Sequence, residues 1–87
     1  MNYGKPIKRE VIKLFNYNKL RGKIREKFGT QEHFANALGI GTTTLNSRLK
    51  SETYFNQMEI LKAGELLGLT REEIDEIFFE ENNGKPI

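Results

Sequence analysis

Apolar residues recur along this chain at the spacing of a helix rather than of a strand. From Asn18 onward Leu20, Ile24 and Phe28 fall at i, i+4 and i+8, one stripe that Gly29 ends. Thr30 is a good N-cap for a second helix, in which Gln31, Phe34, Ala35 and Leu38 share a face and which Gly39 closes. A third, short helix is expected to begin near Gly41 or Thr42 and to bury Leu45 and Leu49. The last two helices have fuller start signals. Asn56 with Glu59 forms a variant of the capping box, and Phe55 with Ile60 occupies the positions of a hydrophobic staple. Thr70 with Glu73, and Leu69 with Ile74, repeat both signals. Ile60, Ala63, Gly64 and Leu67 then give the fourth helix its period before Gly68, and Ile74, Ile77 and Phe78 supply the buried face of the fifth. The pattern predicts an all-α fold of five compact helices.

Residues 1–16 follow no single period. Gly4 and Pro6 break any early helix, and Val11, Lys13 and Phe15 then alternate against Ile12 and Leu14. The segment reads as a basic arm or an extra element. It either packs on the domain, pairs as a strand with "IFFEEN" near the C-terminus, or lies along a polyanion; its apolar content favours packing. Residues 17–81 form the helical domain and 82–87 a short tail.

Length and composition narrow the function. With 87 residues the chain is one domain with a small core and little room for an enclosed catalytic pocket. It has no cysteine, so no disulfide framework and no thiolate metal site. His33 is its one histidine, expected to be partly exposed, so there is no histidine cluster for metal binding or for nucleophilic catalysis. The carboxylates of the fifth helix have no partner base. The chain is therefore read as a non-enzyme without cofactor or metal. No run of about 18 apolar residues exists, and the N-terminus lacks the apolar core of a secretory signal, so a cytoplasmic location is expected.

Charge is divided unevenly. Residues 1–28 carry nine Lys or Arg against Glu10 and Glu26, a net +7, whereas residues 29–87 carry five against ten acids, a net −5. Such a split points to a polyanionic partner at one end.

The stretch "QEHFANALGIGTTTLNSRL" joins these threads. Small Ala35 suits the close crossing of two helices, Gly39 suits a turn residue with positive φ, and Leu45, six residues on, fills the angle between the helices. Those requirements at those spacings describe a helix-turn-helix at about 31–50. The stretch resembles the helix-turn-helix of the lambda-repressor/Cro (Xre) family of phage and bacterial regulators. The match is Gln31, Ala35, Gly39 and an aliphatic residue at 45, and the wider likeness runs over roughly residues 16–80. Two positions depart from it. Gly41 stands where the family often has Ser, so Thr42 is expected to take over the cap. Arg48 stands where an apolar residue is common, with Leu49 as its buried substitute; Arg48 then points to phosphate or pairs with an acid such as Glu52.

The resemblance implies a sequence-specific, double-stranded DNA-binding transcriptional regulator, a phage or prophage protein of the Cro or repressor kind. Its third helix would enter the major groove of an operator in a bacterial host cell. The outward positions are Thr42, Thr43, Asn46 and Ser47, with Lys50 just beyond. Asn46 is the first choice for base readout, since its amide can pair bidentately with adenine. Gln31 is placed to meet a phosphate at the amino end of the second helix. Thr44 faces between the two sides, and Arg48, Lys50, Lys19, Arg21 and Lys23 are candidates for neutralising the backbone. A homodimer is expected on DNA, with one of Phe78 and Phe79 turned outward to meet a second subunit. Two other uses of the same fold stay open: a protein-interaction module, or an architectural or excision cofactor that bends DNA.

Overall fold

The computed structural model describes residues 14–81, and the first thirteen and last six residues lie outside the account that follows. Five helices follow one another: α1 (Asn18–Phe28), α2 (Gln31–Leu38), α3 (Thr42–Leu49), α4 (Gln57–Leu67) and α5 (Arg71–Phe78). The all-α class and the helix boundaries are those the pattern predicts.

Local chemistry explains where most helices begin. The Thr30 hydroxyl accepts from the His33 amide at 3.1 Å. Asn56 and Glu59 form a complete capping box, each side chain accepting from the other's backbone, and Thr70 and Glu73 form a second. α1 and α3 are the exceptions. Tyr17, the N-cap of α1, makes no side-chain cap bond. The N-cap of α3 is Gly41, which offers no side chain, so that Thr42 is already the first helical residue rather than a cap. The expectation that Thr42 would cap α3 is therefore corrected: its hydroxyl sits one position too late to do so.

The core lies where α1, α2, α4 and α5 converge. Leu20 and Ile24 of α1 meet Phe34, Ala35 and Leu38 of α2, Ala63 and Leu67 of α4, and Ile77 and Phe78 of α5, all buried. Leu45 and Leu49 carry α3 into the same cluster. Tyr17, Phe55 and Phe78 pack as T-shaped rings with centroids 5.2–6.4 Å apart. α2 is the hub of the fold, coming backbone-close to α1, α3 and α4, whereas α3 comes backbone-close to α2 alone.

The described part of the N-terminal segment is tied down. Phe15 makes a single antiparallel bridge with Glu81, and the Asn16 amide donates to the Glu80 carbonyl at 2.8 Å. The Phe15 amide donates to the Ser51 hydroxyl, and its ring packs against Tyr17, Tyr54 and Phe79. Thus Phe15 both packs and pairs. Leu14, part of the apolar content expected to favour packing, is nevertheless 52% exposed. Residues 1–13, including Val11 and Ile12, lie outside the described residues.

Candidate recognition surface of the helix-turn-helix

The turn between α2 and α3 has the geometry its sequence requires. Gly39 sits at φ 90°, ψ 23°, a left-handed conformation that closes α2, and its amide donates to the Ala35 carbonyl at 2.8 Å. Ala35 and Leu45 are fully buried at the crossing, so α3 lies close against α2 and turns its opposite side outward. On that side Thr42, Thr43, Asn46 and Lys50 are exposed, and Thr44 and Ser47 are half-buried. The Ser47 carbonyl also accepts from the Glu52 and Thr53 amides, which bends the chain sharply after α3.

The expected backbone contacts separate into two groups. Gln31 is half-buried at the amino end of α2, where it lines a cleft of about 170 Å³ with Arg21, Ile24, Arg25, Gly29 and Thr30. Arg25 was not among the residues singled out from sequence. It differs little from its basic neighbours there, and only the fold brings it beside Gln31. Arg21 is partly committed elsewhere, since its Nη2 donates to the Leu49 carbonyl at 3.2 Å and so caps the end of α3. Lys19 lies 3.7 Å from Glu80, and Lys23 is near enough to Glu73 to help hold its carboxyl below the ordinary range, after the stronger effect of the Thr70 amide. α1 therefore commits part of its positive charge to α5 and to the residues just after it, although both lysines remain at the surface.

Arg48 takes the second of its two expected places, paired with an acid, though not with the one expected. Its Nε and Nη2 donate to the two carboxylate oxygens of Glu59 at 2.8 and 3.1 Å, and its Nη1 donates to the Thr53 hydroxyl at 2.8 Å. The partner is Glu59 and not Glu52, because Arg48 occupies the flank of α3 that faces the start of α4. Its side chain is 17% exposed and that of Glu59 11%. Arg48 is thus half-buried and committed to Glu59 rather than presented to phosphate. His33 is exposed, with Nδ1 3.3 Å from the Phe28 carbonyl. Among the described residues no helix is long and apolar enough to cross a membrane.

A polar α3 laid across a capped α2 defines an all-α domain of helix-turn-helix type. The chain belongs to the family described as proteins of unknown function (DUF739), whose model matches residues 13–81. It is also similar to the modulator of repression (MOR) of the temperate bacteriophage TP901-1 from Lactococcus lactis, known from its solution structure. The two are 40% identical, and the match covers 75% of this chain and 88% of that one with a TM-score of 0.66. No curated protein sequence matches.

Proposed function

We propose that this chain is a small phage-type regulator that modulates repression by binding a repressor protein. The observation that carries this reading is the 40% identity to a phage modulator of repression across nearly all of that protein. The chemistry of α3 agrees with it. With Arg48 bound by Glu59, the outward face of α3 offers hydroxyls and an amide, and its one outward cation is Lys50 at the end. Such a face, poor in cations, suits a protein surface, whereas binding along a phosphodiester backbone rests on many cationic contacts.

A second reading, sequence-specific binding to double-stranded operator DNA in the manner of Cro, is favoured by a separate observation. Thr42, Thr43 and Asn46 stand in solvent on the helix that would enter a groove, and Gln31, Arg21 and Arg25 line a cleft beside it. In that reading two copies of the chain would join to span half-sites about 34 Å apart, with Phe79 near the dimer seam.

One pair of titrations separates the readings. The purified chain is mixed with the repressor of phage TP901-1, and complex formation is followed by sedimentation. In parallel, its binding to phage regulatory DNA is followed by fluorescence anisotropy over a range of salt. The proposal expects a stoichiometric complex with the repressor and only weak, sequence-indifferent DNA binding. Sequence-selective binding to DNA by the chain alone, without any complex with the repressor, would overturn it in favour of the second reading. In that case Asn46→Ala should relax base preference by about 1–3 kcal/mol, and Lys50→Ala should weaken all sequences alike.

A further inference from the structure

The Arg48–Glu59 pair has a geometry that its neighbours make unusual. α3 approaches only α2 closely, so nothing but side chains fixes how it tilts relative to α4. Leu45 and Leu49 anchor it to the core, but apolar contacts are non-directional and tolerate rotation and sliding. A two-toothed arginine–carboxylate fork does not: two parallel hydrogen bonds fix both distance and angle. Here the fork lies between the last turn of α3 and the first turn of α4.

Each partner of the fork is itself held. Glu59 Oε1 also accepts from the Asn56 amide at 3.0 Å, and the Glu59 amide donates to Asn56 Oδ1 at 2.8 Å, so its carboxylate is fixed by the cap of α4. The third arm of Arg48 reaches Thr53 in the connecting loop. On the other side of α3, Arg21 reaches from α1 to the Leu49 carbonyl. The carboxy-terminal end of α3 is thereby gripped from two directions, while its amino-terminal end, which carries Thr42 and Thr43, has no side-chain cap.

We infer that Arg48 and Glu59 are positioning residues that set the angle at which α3 presents Thr42, Thr43 and Asn46 to its partner. The inference rests on the reading of α3 as the partner-facing helix. The fork contributes orientation more than net stability, because the attraction within a half-buried ion pair is largely offset by desolvation and by the ordering of its side chains. A Met at position 48 keeps arginine's unbranched apolar stem without its fork, and a Gln at 59 keeps an acceptor for the Asn56 amide.

The test uses the full-length chain carrying Arg48→Met and Glu59→Gln together. Its melting temperature is expected to stay within about 6 °C of wild type, roughly the shift that 1 kcal/mol gives in a domain of this size. Its affinity for the repressor of phage TP901-1 is expected to fall at least about tenfold, a change of some 1.4 kcal/mol. Arg48→Lys, which keeps the charge but loses the fork, is expected to bind as poorly as the double variant. Affinity within twofold of wild type in both variants overturns the inference, as does a loss of affinity that follows loss of folding. Residual dipolar couplings on the free protein decide the matter without any partner. A change in the angle between the α3 and α4 axes in Arg48→Lys supports the inference, and an unchanged angle overturns it even if the repressor reading has already failed. Conversely, if wild type binds no repressor but the angle shifts, the positioning role stands and the proposed function falls.

Discussion

Glu59 serves two elements with one carboxylate, and its ionisation should be visible in the pH dependence of stability. Burial alone would raise its pKa. Hydrogen bonds from the Arg48 guanidinium and the Asn56 amide, together with the arginine's charge, outweigh that and hold the carboxyl below its ordinary 4.5. Because the folded-state value is depressed, the resulting stability is present above pH 4.5 and lost as pH falls through the folded-state value. Melting curves from pH 7 to pH 3 should show wild type losing more stability than Glu59→Gln, with the two curves converging below pH 4.5. Parallel curves would mean that the carboxylate gains nothing from its partners on folding. Ser51 is a second residue with two duties. It holds φ at 62°, unusual for a residue other than glycine, while its buried hydroxyl accepts from the Phe15 amide at 3.1 Å. Ser51→Ala keeps the strained backbone and orphans that amide, at a cost of about 1–3 kcal/mol. Ser51→Gly loses the same bond but relieves about 1–2 kcal/mol of left-handed strain. Urea titrations should therefore rank the glycine variant above the alanine variant, and the reverse order would show that the backbone there is not strained.

At the scale of the element, the turn before α3 makes the sharpest demand on sequence. Gly39 has φ 90°, and the nearest atom to an added Cβ is Lys62 Nζ at 3.7 Å, an ordinary contact. Any penalty at this position comes from the backbone and not from crowding. Gly39→Ala should cost about 1–2 kcal/mol in thermal unfolding, and Gly39→Asn should cost less because its short polar side chain tolerates this region. Equal losses would point to a packing cause instead. This turn also marks how far the sequence can be read. Thr30, Asn56 and Thr70 announce helix starts, and Gly29, Gly39 and Gly68 announce ends, because a cap depends on groups at most a few residues apart. The burial of Ala35 and Leu45 was legible for the same reason, since a fixed spacing within one motif dictates it. The fate of Arg48 was not. Its partner lies eleven residues on, in a helix whose approach depends on the packing of the whole core. Ser51 and Phe15 are 36 residues apart, and no local pattern joins them. On the outward side of α3, the exposure of Thr42, Thr43 and Asn46 was legible in the sequence, whereas the half-burial of Ser47 and the commitment of Arg48 and Arg21 to neighbouring helices were not.

For the whole molecule, the two ends of the described chain meet at a cluster of rings, buried at its base and half-exposed at its rim. Phe15, Tyr17, Tyr54, Phe55, Ile60, Phe78 and Phe79 line an open apolar groove of about 290 Å³, with Tyr54 45% and Phe79 49% exposed at its rim. Adjacent Phe78 is buried against Tyr17 and Phe55, so of the two phenylalanines it is Phe79 that faces outward. Apolar area gathered in one place marks an interface more often than scattered residues do. If a homodimer forms, this surface is its expected seam. Phe79→Ser should then leave the fold intact, losing its edge contact with Phe15 at 6.2 Å, about 0.5–1.5 kcal/mol, and about 1 kcal/mol for the half of the ring that is buried. It should also shift sedimentation at high protein concentration from dimer to monomer. Leu61→Ser is the matched control: it removes an equally exposed apolar residue from α4, beside Met58 and away from the aromatic groove. A dimer that survives Phe79→Ser but dissociates with Leu61→Ser would move the seam to α4. A wild-type chain that sediments as a monomer throughout would leave both apolar surfaces to a different protein, the result expected when the partner is a repressor.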